Sequence, residues 1–121
     1  MANARLDDVK TFLLEFKFFA QHPDNFTLIS RKKNLDSLAL LGLTARQVRR
    51  SILQLTVKNY SEGPNVDRDR KDANIWVFGM KINDEEVYIK LSDNFSSNVA
   101  KCISFHKAEY AMNYPYMGGG E

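Results

Sequence analysis

The sequence predicts an α+β fold, a small antiparallel sheet packed on about three helices. Helical periodicity and helix-end signals concentrate in the first half of the chain. Two-residue alternation concentrates in the second half, where three strand-like runs follow one another as a meander. The chain has 121 residues, 44% of them apolar. That is enough for one core, and one domain over residues 1–121 is expected.

The first element is "LDDVKTFLLEFKFFAQH". Val9, Phe12, Leu13, Phe16, Phe19 and Ala20 recur at helical spacing and make one broad apolar face. Asp7 is placed to cap its start, Asp8 suits the positive end of the helix dipole, and Pro23 stops it. "NFTLISR" reads as a short strand. "NLDSLALLG" reads as a short helix that Gly42 closes. Thr44 and Gln47 form a capping-box pair that opens "ARQVRRSILQL", with Val48, Ile52 and Leu55 inward and Arg46, Arg49 and Arg50 outward. The polar stretch "NYSEGPNVDRDRKDAN" reads as a long loop. "NIWVFGMKI" and "EEVYIKLS" are joined by Asn83-Asp84, a tight-turn pair, and "VAKCISFHK" is the last strand. The aromatic, then glycine-rich tail is expected to fray, with residues 117–121 disordered.

Composition excludes several classes. Cys102 is the sole cysteine, so neither an internal disulfide nor a cysteine zinc site is available, which fits a reducing compartment. Two histidines and scattered carboxylates show no metal-ligand spacing. The first residues lack a signal-peptide layout, and no run reaches the roughly 20 apolar residues of a spanning helix. A soluble, cytoplasmic protein without metal or cofactor is expected. The formal charge of +2 does not by itself point to nucleic acid. The Arg31-Lys32-Lys33 cluster and the arginines of the third helix are nevertheless candidate phosphate contacts.

Alternation sorts the last strands into faces. Val87, Ile89 and Leu91 share one face, with Glu86, Tyr88, Lys90 and Ser92 on the other. In the final strand Val99, Ile103 and Phe105 are expected on the core face, with Cys102, Ser104 and His106 opposite. Tyr88, Lys90, Ser104 and His106 then project together. This set suits cleavage of RNA through its own 2′-hydroxyl: a histidine to move protons, a lysine for phosphate charge and a tyrosine to orient or stack the nucleotide. The solvated side of an ordinary antiparallel sheet presents the same residue types.

Four stretches, "RLDDVK", "LGLT", "IWVFG" and "EVYIKL" followed by "CISFH", run in an order and spacing that resemble the MqsR family of bacterial toxins, relatives of the RelE-type ribonucleases. The match spans roughly residues 5–106. The resemblance implies a RelE-like fold, an endonuclease acting on mRNA without a metal, and a cognate antitoxin protein as partner. The family's strand tyrosine falls on Tyr88 and its C-terminal strand lysine on His106. Its glutamine falls on Val77, and its helix-end lysine near Glu62, with Lys58 one turn away. Strand-face geometry and the resemblance together nominate His106, Tyr88 and Lys90 as the catalytic set, with Arg49, Arg50, Lys58 and Lys101 as RNA or phosphate contacts. A non-catalytic module of the same fold, binding nucleic acid or protein, is the alternative.

Overall fold

The computed structural model describes residues 4–69 and 73–117. Helix α1 (Leu6–Ala20) buries Val9, Phe12, Leu13, Phe16 and Ala20, the stripe its periodicity predicts. Its N-cap is Arg5 rather than Asp7, and no side chain caps it. Asp7 and Asp8 instead lie in the first turn, where their charge meets the helix dipole. Strand β1 (Phe26–Leu28) follows, then α2 (Lys32–Leu41), which Gly42 ends in the left-handed conformation at φ 69°. The Thr44–Gln47 capping box opens α3 (Ala45–Leu53), whose Val48 and Ile52 are buried.

The segment expected as a long loop contains a strand. Residues Tyr60–Val66 form β2, paired antiparallel with β3 (Asn74–Ile82) through two register irregularities around Glu62. It is an edge strand, bonded on one side only, so its Gly63 and Pro64 are tolerated where a central strand would exclude them. That is why composition concealed it. The β3–β4 hairpin turns through Asn83 and Asp84, both at positive φ (52° and 65°), and continues into β4 (Glu85–Ser92). Strand β5 is Ala100–Lys107.

Among the described residues the sheet has five strands in the order β1-β5-β4-β3-β2. It is mixed rather than wholly antiparallel, because β1 pairs parallel with β5. The class is α+β as expected. Helices α1 and α3 supply the apolar side of the main core, where Phe12 stacks on Trp76 at 4.6 Å between ring centroids. Phe78, Val87, Ile89, Leu91 and Phe105 meet them from the sheet. A smaller cluster of Ile75, Val77 and Ile103 lies apart, with Tyr88 and Met112 against it. No described helix is long and apolar enough to cross a membrane.

Strand β1 is only three residues long, so most of the outer edge of β5 lacks a strand partner. The following chain and α2 complete it. Ile29 N donates to the Cys102 carbonyl at 2.9 Å. Beyond that point Asn34, fully buried on α2, takes over. Its Nδ2 donates to the carbonyls of Ile29 (2.8 Å) and Ile103 (3.0 Å), and its Oδ1 accepts from Phe105 N at 3.0 Å. One turn on, Ser37 Oγ accepts from Lys107 N at 3.2 Å. Two side chains thus satisfy an exposed strand edge, as buried backbone groups require.

Asn34→Leu removes both donors and the acceptor while leaving the Phe105 amide and two carbonyls buried. A loss of about 3 kcal/mol is expected, since each buried unsatisfied group costs about 1–3 kcal/mol. Urea denaturation followed by circular dichroism measures it, and an unchanged midpoint would contradict this account of the β5 edge.

Candidate functional site

The sheet face opposite the main core opens into a cleft of about 890 Å³. Tyr88, Lys90, Ser104 and His106 all line it. Their convergence follows from register: Tyr88 pairs with His106 and Lys90 with Ser104 across the β4–β5 ladder. On the far side Ser61, Glu62 and Gly63 of β2 form a wall. Arg31, Lys33 and Asn34 contribute from the start of α2, and residues 109–113 of the tail complete the rim.

Local irregularity decides what faces the cleft. The β4–β5 register shifts between Lys90 and Leu91, so Leu91 pairs with Cys102 and Lys90 with Ser104. One extra residue on β5 is absorbed there, as in a β-bulge. Strict alternation is therefore wrong for Val99, Cys102 and Ile103: Ala100 rather than Val99 joins the main core. Cys102 is fully buried in the main core, and Ile103 joins the cluster on the cleft side of the sheet. Ser104 and His106 keep the face expected of them, although they are only 3% and 8% exposed. Burial pushes the Cys102 thiol well above its ordinary range, so it is no nucleophile.

The His106 ring is held from two directions. It stacks on Tyr88 with centroids 5.2 Å apart and planes 17° apart. Its Nδ1 lies 3.0 Å from the Lys107 carbonyl and donates to it, which assigns the other tautomeric position, Nε2, to exchange with a ligand. Burial raises the Tyr88 phenol above its ordinary value, and the Glu62 carboxylate adds to the rise. Tyr88 is thus a hydroxyl donor at neutral pH rather than a base.

The cations of the cleft differ in commitment. Lys33 pairs with Glu109 at 3.0 Å, and Arg31 with Asp69 at 3.8 Å. The Lys33 hydrogen bond and charge hold the Glu109 carboxyl below its usual range, with His106 adding in the same direction. Lys90 has no ion pair among the described residues. It is the ammonium most available to an incoming anion.

Of the expected phosphate contacts, Arg31 and Lys33 of the basic cluster line this cleft, whereas Arg49, Arg50, Lys58 and Lys101 do not join it. Arg49 Nη1 donates to the carbonyls of Ala20 (3.0 Å) and Gln21 (3.3 Å), so it caps the C-terminus of α1. Arg50 and Lys58 are exposed and lie outside the cleft lining. Lys101 sits opposite Thr27 at the β1 end of β5, also outside it. His22 is exposed at the end of α1, away from the site. Glu62, Asn34 and the tail were not in the expected set. Glu62 was concealed because β2 read as loop, and the others meet the sheet only through tertiary packing. Val77 is 2% exposed in the small apolar cluster, with Glu62 directly across from it on β2. Among the described residues, no three histidine, cysteine or carboxylate side chains converge as metal ligands.

The tail folds back across the sheet as far as Met117, while residues 118–121 lie outside the described residues. Tyr114 Oη donates to Glu86 at 2.7 Å, and Tyr116 bonds the Ala4 carbonyl and stacks on Tyr60 at 5.7 Å. Gly79 makes room for this strap: a Cβ there would stand 2.3 Å from Tyr114 Oη and 2.8 Å from Met112 Sδ.

Gly79→Ala is therefore expected to displace the strap and leave the sheet intact. Chymotrypsin should cut after Tyr110 and Tyr116 about ten times faster in the variant, with little change in far-ultraviolet circular dichroism. Equal cleavage rates would show that the strap does not depend on Gly79. Cys102 is expected to resist Ellman's reagent in the native protein and to react promptly in urea. Comparison with family models, curated proteins and solved structures returned no match for this chain.

Proposed function

We propose that this chain is an endoribonuclease that cleaves mRNA by attack of the 2′-hydroxyl on the adjacent phosphate, and that it acts as the toxin of a toxin–antitoxin pair, inhibited by a cognate protein. The observation that carries the enzymatic reading is the gathering of His106, Tyr88 and Lys90 in one cleft with Ser104 between them. Each has a part in the reaction. His106 transfers a proton at Nε2, its ring held by the Tyr88 stack and the Lys107 carbonyl. Lys90 meets the phosphate charge that builds in the transition state. Tyr88, kept protonated by burial, donates to a phosphate or ribose oxygen. Lys33 and Arg31 at the rim attract the polyanion. The toxin assignment rests on the resemblance of the four sequence stretches.

A binding module remains the second reading. The observation that favours it is Val77, an apolar side chain where the resemblance implies a glutamine.

Incubating the purified protein with a long messenger RNA, and sequencing the cleaved ends, tests the proposal. Wild type is expected to release 5′-hydroxyl ends, and a 2′-deoxy substitution at the cleaved position to abolish the cut. His106→Ala should lose about 10²–10⁴-fold in rate, the usual contribution of a positioned proton-transfer group. RNA binding without turnover by folded wild type would favour the module. Equal rates from wild type and His106→Ala would remove His106 from the mechanism.

A further inference from the structure

The tail carries three tyrosines, Tyr110, Tyr114 and Tyr116. The fold uses two of them. Tyr114 donates to Glu86, and Tyr116 bonds the Ala4 carbonyl and stacks on Tyr60. Tyr110 is left over. At 86% exposure it is the most exposed large apolar or aromatic side chain among the described residues. It has no hydrogen bond or ring partner among them. Yet it lines the cleft, together with Arg31, Lys33 and Glu109. A ring left in water forgoes the burial that an aromatic side chain ordinarily contributes to a fold.

The backbone beneath Tyr110 is fixed although its ring is free. Ala108 N donates to the Glu86 carbonyl at 2.8 Å, and Tyr114 Oη donates to the carboxylate of the same residue at 2.7 Å. One residue of β4 therefore ties down both ends of the segment 109–113. Between these ties Met112 packs down on Ile75, Val77 and Ile103, and Glu109 pairs with Lys33 of α2 at 3.0 Å. The segment is a built wall of the cleft that presents one unused ring. The other aromatic side chains of the lining are already committed. Tyr88 and His106 stack on each other with centroids 5.2 Å apart, and His106 is nearly buried. The ring faces open to a ligand are those of Tyr110.

We propose that Tyr110 is the stacking platform for one base of a single-stranded RNA whose backbone lies in the cleft, which rests on the endoribonuclease reading above. Every base has a π-face, so a platform of this kind grips a strand without reading its sequence. Charge and stacking divide the task. Lys90, Arg31 and Lys33 meet phosphates, and Tyr110 meets a base splayed out from them at the rim. The anchored segment keeps the cost of binding low, because only the ring torsions of Tyr110 remain to be fixed. A base within a duplex has both faces covered by its neighbours, so the platform selects single strands.

The probe is a short, fluorescein-labelled single-stranded RNA with 2′-fluoro riboses, which has no 2′-hydroxyl to attack and stays whole. Fluorescence anisotropy measures its dissociation constant. Tyr110→Ala should weaken binding roughly 5- to 150-fold, the usual worth of one stacked base. Tyr110→Phe and Tyr110→Trp keep a ring and should bind as wild type does. Replacing the bases one at a time by abasic sites should reveal a position that costs wild type the same loss and costs Tyr110→Ala nothing more. The salt dependence of binding should be unchanged in Tyr110→Ala and shallower in Lys90→Ala, which removes a phosphate contact. Annealing the probe to its complement should erase the difference between wild type and Tyr110→Ala. Equal affinity of wild type and Tyr110→Ala for the single strand would overturn the proposal, as would a wild type that does not bind it. A loss that neither ring variant restores, or that no abasic position reproduces, would overturn it too. A wild type that shows the Tyr110 dependence yet cuts no natural RNA would instead overturn the endoribonuclease reading and leave the subsite standing.

Discussion

The cleft depends on how the outer edge of β5 is held. A three-residue β1 satisfies only its first part. The rest is bonded by Asn34 and Ser37 from α2, so a helix completes the hydrogen-bond pattern of a strand. Asn34 uses both its donors and its acceptor at full burial. It clasps the strand on either side of Ser104, the residue next to the bulge. Loss of this clasp would free the segment that carries His106 and the rim cations that arrive with α2. Fold and site therefore share one polar contact, and a buried network of this sort gives a unique arrangement only when every member is satisfied.

The two faces of the sheet do different work. One is dry and aromatic, with Phe12, Trp76, Phe78 and Tyr60 in mutual ring contact under α1. The other combines a small apolar patch with polar side chains that are covered yet not closed off. Such partial burial has chemical consequences. It raises the Tyr88 phenol and fixes the imidazole by stacking. Charges within a partly dehydrated cleft interact more strongly than they would on an open surface. The pairing of Lys33 with Glu109 and of Arg31 with Asp69 moderates the cationic rim and leaves Lys90 as the uncommitted charge.

Much of this was legible in the sequence because it is local. The stripe of α1, the Thr44–Gln47 box, the Gly42 terminus and the Asn83-Asp84 turn are each written in residues within a few positions of one another. Tyr88, Lys90, Ser104 and His106 could be placed on one face because alternation along a strand is a local rule. The errors have equally specific causes. Composition reads Gly63 and Pro64 as loop, yet an edge strand accepts both. Alternation misplaced Cys102 and Ile103 because a bulge is set by the partner strand. Arg49 looked like a solvent-facing arginine of α3 until α1 presented it with two free carbonyls.

The sequence alone determined the class of the fold, most of its elements and the central residues of the cleft, since periodicity and caps act over a few residues. Tertiary structure decided the parallel seating of β1, the conversion of a polar stretch into β2, and the return of the tail across Gly79. It also decided that Glu62 lines the same cleft as His106. These are pairings between segments far apart in the chain. Their energy lies in hydrogen bonds and packing that form only when the partners meet, so neither partner announces them in its own sequence.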